Sequence, residues 1–286
     1  MDILKYKVTE NNSADFLWAT HPDSGDSSKK ELRAHMKENK EQIASLQDRL
    51  YAEGKYALLI IFQAMDAAGK DGAIKHVMSG VNPQGVNVRS FKQPSVEELS
   101  HDYMWRAVKV LPARGEIAIF NRSYYEDVLI VKVRKLYENY TLPDRCKTPD
   151  TIEKRYTQIK NFEDYLWENG IITVKFFLHL SKEEQTRRFF KRIDRKDKNW
   201  KFSQNDLKER ELWDDYQEAY RTAIRETATE RNPWYVVPAD TKVYTRAVIS
   251  EILLDVMNSL DPKYPDLSEK QEAELAECKR RLTEEE

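Results

Sequence analysis

Residues 56–72 read YALLIIFQAMDAAGKDG, an apolar run that leads into a glycine-containing loop. The run at 56–62 is apolar on both of its faces, as expected for a strand of a parallel sheet that helices cover on both sides. The loop keeps the frame G-x-x-x-x-G-K-[ST] of a Walker A sequence, with Ala64 at the first glycine and Asp71 at the hydroxyl position. The stretch therefore predicts a strand, a phosphate-binding loop and a helix in succession.

The backbone of this loop is suited to binding an anion. The helical pattern begins at Gly69 or Lys70, which places the loop at the carboxyl edge of the sheet, where open α/β sheets bind ligands. N–H groups at the start of a helix carry partial positive charge, glycines allow a close approach, and Lys70 adds a full charge. The predicted phosphate ligands of the loop are Ala67, Ala68, Gly69, Lys70, Asp71 and Gly72.

Two carboxylates in the loop indicate a metal ion. Asp66 and Asp71 would repel a bare phosphate among the loop amides unless Mg²⁺ or a proton-bearing group lies between the charges. Ala64 is nearly as small as glycine, although a positive φ at that position would strain it. The alternative is a solvated turn that happens to contain Gly-Lys, and the position between a buried strand and a helix argues against it.

The rest of the chain alternates between strands and helices. This alternation over about 200 residues predicts one doubly wound, three-layer α/β/α domain over residues 1–286, with a five-stranded parallel sheet. We expect a helical extension at 1–54 and a charged helical tail at 261–286, which is either solvated or an oligomer contact. The further predicted strands are NVRSF (87–91), EIAIF (116–120), IITVKFF (171–177) and WYVVP (234–238). The predicted helix starts are at Ser28, Ser95, Thr151 and Ser181.

Composition argues against several classes of protein. The 286 residues carry 47 basic and 49 acidic side chains, so no excess of positive charge indicates a nucleic-acid partner. The apolar run is far shorter than the roughly 20 residues that span a bilayer, and no signal peptide is recognisable, so we expect a cytoplasmic protein without a membrane partner. The five histidines form no ligand pair or triad, and Cys146 and Cys278 have no partners at metal-ligand spacing.

A second polar segment follows the third predicted strand. It reads NRSYYED over residues 121–127, where P-loop enzymes place an acidic residue that holds Mg²⁺. Asn121 stands at the first position, with Glu126 and Asp127 a turn later. Arg122 at the strand end is suited to fork onto phosphate oxygens, and a salt bridge to a helix carboxylate is the alternative. The segment therefore predicts a second set of phosphate and metal ligands.

Residues 187–201 read RRFFKRIDRKDKNWK and contain eight basic side chains. Such a charge run is often only a solvated helix face. Its position after the fourth strand favours instead a mobile helical lid, at about 182–205, that brings arginines onto phosphates and excludes water. Eight cations exceed what one triphosphate needs, so they indicate a longer polyanion.

No general base is evident, which suits transfer between two phosphates because an acceptor phosphate is already ionised near pH 7.

Three segments together resemble the polyphosphate kinase 2 family, namely AMDAAGKDG, PSVEELSHDYMWRAVKVLPARGEIAIFNRSYYEDVL and TRRFFKRI. The resemblance covers roughly residues 30–260. It implies a P-loop, thymidylate-kinase-like fold, dependence on Mg²⁺, and phosphoryl transfer between inorganic polyphosphate and a nucleotide. It also implies a homodimer or homotetramer, and adenine nucleotides as acceptors, with guanine nucleotides left open.

The second motif indicates a subgroup of that family. Members that act mainly on nucleoside diphosphates carry F-D-R-S-W-Y-N-R, whereas this chain carries Asn121 and Glu126-Asp127. This pattern is similar to that of the subgroup that phosphorylates both AMP and ADP. Our hypothesis is that losing the aspartate charge eases adjustment to nucleotides of different phosphate length.

The resemblance also implies roles for single residues. Asp66 would orient Mg²⁺ or the attacking phosphate, Lys70 would stabilise the transferred phosphoryl group, and Arg122 would bind phosphate. Glu126 or Asp127 would assist metal or acceptor placement, with Asp66 and Asp127 as the expected metal ligands. The further expected phosphate ligands are Lys75, Asn121, Arg187, Arg188, Lys191 and Arg192. Two rival functions stay open on the sequence alone, an ATP-dependent nucleotide or small-molecule kinase on the same fold and a polyanion-binding scaffold without turnover.

Overall fold

A six-stranded sheet with strand order β1-β6-β5-β2-β4-β3 organises the protein in a computed structural model that describes residues 1–22 and 28–284. The strands are β1 (Lys7–Val8), β2 (Ala57–Gln63), β3 (Val86–Ser90), β4 (Ile117–Asn121), β5 (Ile171–His179) and β6 (Trp234–Pro238). The helices are α1 (Lys29–Glu53), α2 (Lys70–Val77), α3 (Val96–Ser100), α4 (Trp105–Val108), α5 (Ile130–Val133), α6 (Thr151–Glu168), α7 (Lys182–Ile193), α8 (Gln204–Glu211), α9 (Trp213–Thr227), α10 (Lys242–Leu260) and α11 (Glu269–Glu284).

The five predicted strands are all present and all parallel, so this part of the fold prediction is confirmed. The central strand β2 is buried along its whole length and pairs with β4 on one side and β5 on the other. Its side chains alternate between two cores. Leu58 and Ile60 pack under α1, α2 and α10, whereas Leu59 and Ile61 pack under α6 and α9. The apolar run is therefore buried on both faces because helices cover both sides of the sheet.

Local sequence signals place the helix ends correctly. Ser28 forms a complete capping box with Glu31, and α1 ends at Gly54, whose φ of 65° is the left-handed conformation that glycine adopts without strain. Helix α2 begins at Lys70. The Ser181 side chain likewise accepts a hydrogen bond at the start of α7. These ends are predictable because each depends on residues within one turn of one another.

The N-terminal segment differs from the predicted helical extension at 1–54. Within the described residues only α1 is a helix of more than one turn there, and the chain before it forms the short strand β1, antiparallel to β6. The segment then crosses the carboxyl ends of β5 and β6, where Trp18 stacks on Phe177 with ring centroids 5.2 Å apart. At the other end of the chain, α11 has no buried residue. Over the described part of the chain, no helix combines the length and apolar character needed to cross a bilayer.

Candidate active site

The loop between β2 and α2 lies at the carboxyl edge of the sheet. Lys70 is nearly buried at the start of α2, and its ammonium donates to the carbonyl oxygen of Ala64 at 2.9 Å. Burial, together with the nearby Arg122 guanidinium, lowers the pKa of Lys70 to about 8. The loop residues with positive φ are Ala67 (64°) and Gly69 (106°), so the backbone strain falls on Ala67. Ala64 is not among them, which explains why alanine can replace the first glycine of the Walker A frame.

Arg122 joins the loop to the second motif. It follows β4 directly and has a φ of 65°, while its N–H donates to the carbonyl of Phe62 on the neighbouring strand. Its guanidinium donates to Asp66 at 2.8 Å and lies 3.6 Å from a carboxylate oxygen of Glu126. Glu126, and then Asp66, raise the pKa of Arg122. The structure thus brings Asp66, Lys70, Arg122 and Glu126 together, with Arg122 charged between two carboxylates.

Asp71 is held by the lid and by the second motif at once. The Asn121 amide donates to one carboxylate oxygen at 2.9 Å, and Lys201 donates to the other at 3.1 Å. Burial raises the pKa of Asp71, but the hydrogen bonds from Lys201 and Asn121 outweigh this effect and leave the pKa below its usual value. The aspartate at the hydroxyl position therefore connects the loop helix to the lid in this structure.

The predicted lid is α7, a short turn and α8, and its cations are placed differently from one another. Arg187 is 70% exposed and pairs with Glu184, and Lys191 is exposed. Arg192 is partly exposed and donates to the carbonyl of Lys201 at 3.2 Å. Arg188 is instead buried against the phosphate-binding loop. Lys75, one turn into α2, is exposed.

Asp127 lies away from the loop. It is buried and paired with Arg155 at 3.1 Å, and burial raises its pKa to about 6 against the opposing effect of Arg155. It lines a cavity of about 430 Å³ together with Tyr103 and Tyr140, whereas Asp66 lines a separate small pocket with Arg122 and Glu126. The structure therefore does not bring the two expected metal ligands, Asp66 and Asp127, into one site.

Two cations of α10, Lys242 and Arg246, also lie beside the loop, although no motif in the sequence marks them. Arg246 lies against Gly72, with a guanidinium nitrogen 3.1 Å from the position of a Cβ built on that glycine. The pKa of Lys242 falls to about 8 through burial and the nearby cations of the lid and of Arg246. Their place in the sequence could have indicated this location. Helix α10 begins just after β6, so it also starts at the carboxyl edge of the sheet.

The fold and the site together define a P-loop phosphotransferase. The glycine-containing loop follows the central strand of a parallel sheet, an arginine follows the adjacent strand, and a basic helical segment lies beside them. The sequence model of the family described as "Polyphosphate kinase 2 (PPK2)" matches residues 26–265, and the chain therefore belongs to the polyphosphate kinase 2 family. This confirms the resemblance and the predicted class of enzyme.

Relatives and solved structures agree with this membership. An ADP-polyphosphate phosphotransferase of Rhodopseudomonas palustris is 46% identical over 281 residues, which cover 97% of either chain. An AMP/ADP-polyphosphate phosphotransferase of Meiothermus ruber is 48% identical over 225 residues, covering 78% of this chain and 80% of the relative. The crystal structure of polyphosphate kinase 2 from Arthrobacter aurescens TC1 superimposes with a TM-score of 0.80 at 38% identity, covering 94% of this chain and 90% of that one.

Proposed function

We propose that this protein transfers a phosphoryl group reversibly from inorganic polyphosphate to AMP and to ADP. The observation that carries the proposal is the convergence of Lys70 and Arg122 on the loop, beside Asp66 and Glu126. Two fixed cations suit a reaction in which charge moves between phosphates and no proton has to be removed from the acceptor. The relatives named for polyphosphate, AMP and ADP support the choice of donor and acceptor.

The donor is proposed to lie along a cationic track that runs outward from the loop. Lys191 and Lys198 of the lid and Arg246 of α10 all lower the pKa of Lys242, and Arg246 acts in the same way on His76, next to Lys75. Within the described residues, no salt bridge is formed by any of the five cations concerned, which are Lys75, Lys191, Lys198, Lys242 and Arg246. A row of uncompensated cations attracts a linear polyanion more than a compact triphosphate. The track is Lys75, Lys191, Lys198, Lys242 and Arg246.

The acceptor nucleoside is proposed to occupy the cavity of about 430 Å³ beside the second motif. Tyr103 and Tyr140 offer aromatic faces, and Arg106 and Arg155 offer cations in the same wall. The motif that ends at Asp127 in this cavity begins at Asn121 beside the loop, so its two ends lie by the proposed acceptor and donor sites. The neutral Asn121 supports acceptance of both AMP and ADP, because no carboxylate at that position repels an additional phosphate.

In the proposed mechanism the chain's own residues orient the two phosphates and neutralise their charge. Lys70 carries the positive charge next to the transferred phosphoryl group, and Arg122 holds the acceptor phosphate while Glu126 orients its guanidinium. The acceptor oxygen is already ionised near pH 7, so no side chain has to take a proton. The Gly69 N–H at the start of α2 adds a backbone donor to the loop.

The loop is suited to Mg²⁺ that is bound jointly by protein and substrate. Across residues 1–22 and 28–284 no three His, Cys, Asp or Glu side chains are placed to hold a metal ion by themselves. Mg²⁺ in phosphoryl-transfer sites needs only one or two carboxylates beside phosphate and water oxygens, and Asp66 and Asp71 supply such oxygens in the loop. When bound, Mg²⁺ would offset the negative charge shared by the two phosphates.

Product analysis tests the proposal. Purified protein is mixed with Mg²⁺, long-chain polyphosphate and AMP, ADP or ATP in turn, and nucleotides are separated by ion-exchange chromatography. We expect AMP to give ADP and ATP, and ADP to give ATP, with a Lys70→Met variant as the inactive control. Conversion of ADP but never of AMP would contradict the AMP part of the proposal.

A matched reaction of AMP with ATP, without polyphosphate, tests the ATP-dependent rival. ADP formation in that mixture at the rate of the polyphosphate reaction would favour the rival. Tight polyphosphate binding without any nucleotide product over hours would favour a polyanion-binding scaffold. The same preparation, applied to a calibrated size-exclusion column, tests the predicted homodimer or homotetramer.

A further inference from the structure

Arg188 lies on the lid helix α7, yet it is only 6% exposed and contacts backbone rather than solvent. Its Nη1 donates to the carbonyls of Ala67 at 3.0 Å and Ala68 at 2.7 Å, both in the phosphate-binding loop. Its Nη2 donates to the carbonyls of Ala239 at 2.6 Å and Asp240 at 3.2 Å, just after β6. The remaining N–H, on Nε, donates to the carboxylate of Glu184 at 2.7 Å.

These contacts use the whole hydrogen-bonding capacity of the side chain. A guanidinium has five N–H donors and no acceptor, and each of the five has a protein acceptor here. A phosphate could therefore bind Arg188 only by displacing a carbonyl of the loop. We propose that Arg188 is a positioning residue that holds the phosphate-binding loop in its working conformation and does not itself bind phosphate.

The loop requires such support because one of its residues is strained. Ala67 has a φ of 64°, in the left-handed region that disfavours any side chain with a Cβ. Arg188 stabilises this conformation by binding two consecutive carbonyls, that of Ala67 itself and that of Ala68. Because a trans peptide is planar, the carbonyl of Ala68 and the N–H of Gly69 point in opposite directions. Fixing that carbonyl on Arg188 therefore turns the Gly69 N–H away from the lid helix, as a donor for phosphate.

The far end of the contact is itself fixed. The Asp240 N–H donates to the carbonyl of Thr20, and its carboxylate accepts from the N–H of Ser181 at 2.8 Å, at the start of α7. His21 of the N-terminal segment lies 2.9 Å from the other carboxylate oxygen. Arg188 therefore ties the loop after β2 to a loop after β6 that two other segments already hold, the N-terminal segment and the start of α7.

Hydrogen exchange tests this role without any need for turnover. Arg188→Lys keeps the charge, but a single ammonium group cannot span the two loops. We expect the peptide covering residues 64–70 to exchange about tenfold faster in Arg188→Lys than in the wild type. Arg192→Lys, one turn along the same helix, is the matched control and should exchange like the wild type. Equal exchange in the two variants would overturn the proposal.

Kinetics provide the second arm, which rests on the proposed function because it needs turnover. Glycine adopts the conformation of Ala67 without strain, so Ala67→Gly should raise kcat of Arg188→Lys by about five- to thirtyfold. The same change should give no such rescue of Arg192→Lys, because the contacts of Arg192 are with Lys201 and Asp206 and not with the loop. A phosphate-binding Arg188 could not be replaced by relief of strain, so equal responses of both variants would refute a positioning role. An inactive wild type would instead count against the proposed function, and the exchange arm would still decide the role of Arg188.

Glu184→Gln keeps the test available if Arg188→Lys does not fold. Glu184 accepts from Nε of Arg188 and makes no hydrogen bond to the loop, so its change weakens the contact indirectly. We expect the same direction of effect, faster exchange of the loop and rescue of kcat by Ala67→Gly. Unchanged exchange in this folded variant would again overturn the proposal.

Discussion

Replacing Glu163 by glutamine should lower the free energy of unfolding by about 3–5 kcal/mol, the usual effect of leaving a buried charge without its partner. The carboxylate of Glu163 on α6 and the ammonium of Lys175 on β5 form an ion pair whose side chains are 1% and 0% exposed. Glu163 also accepts from the hydroxyls of Tyr124 and Tyr125, at 2.9 Å each, within the second motif. Lys175 donates further to the Tyr125 hydroxyl at 3.1 Å and to the carbonyl of Thr227 at 3.0 Å.

The size of the effect follows from this arrangement. A glutamine side chain can still accept from a tyrosine hydroxyl, so the hydrogen bonds are lost only in part. The ammonium of Lys175, in contrast, loses the carboxylate with which it forms an ion pair, and its side chain is fully buried. Removing that ammonium as well, in a Glu163→Gln, Lys175→Met double variant, should recover about 1–3 kcal/mol relative to Glu163→Gln alone.

Equilibrium unfolding in urea at pH 7 measures these differences. Glu41→Gln on α1 is the matched control, because its pair with Lys37 spans 3.9 Å and both side chains are at least 70% exposed. That change should cost less than about 0.5 kcal/mol. A loss of under about 1 kcal/mol for Glu163→Gln, or a double variant whose loss equals the sum of the two single losses, would refute the reasoning.

Three further predictions concern the site and the tail. Asp66→Asn and Lys70→Ala should each reduce turnover by about a thousandfold or more with an unchanged circular dichroism spectrum; substantial residual activity in either variant would contradict its role. Because the lowered pKa of Lys70 is about 8, its ammonium form is present below that pH, so kcat/KM for polyphosphate should fall as pH rises above about 8. A flat profile from about pH 7 to 9.5 would show that this ammonium is not needed in the free enzyme. Deleting residues 267–286, which include α11 and its unburied side chains, should leave Tm within about 2 °C, and a smaller particle on size exclusion would show instead that the tail is an oligomer contact.

Much of the fold was readable from local patterns. The apolar run before the loop, the capping box at Ser28 and the glycine that ends α1 each depend on neighbours within a few residues, and the structure has each of them. Strand β1 was not readable, because two residues carry no period and their strand state comes only from pairing with β6.

The candidate site divides in the same way. Asp66, Lys70 and Arg122 follow the ends of adjacent parallel strands, so the order of strands alone brings them to one edge of the sheet. The placement of Asp127 depends on Arg155, which lies 28 residues further along the chain and holds the carboxylate in the other cavity.

The sequence by itself determined the strand, loop and helix at 56–77, the parallel sheet around them and the cluster of basic residues at 187–201, because periodicity, helix caps and motif spacing are properties of short segments. Only the tertiary structure decided what each lid cation does. Arg187 and Arg188 are adjacent in sequence and identical in chemistry, yet one is exposed and the other is buried. The difference arises because the acceptors of Arg188 lie 121 and 120 residues away in the loop, and 51 and 52 residues away after β6. The free donors of a guanidinium are known only once the carbonyls around it are in place.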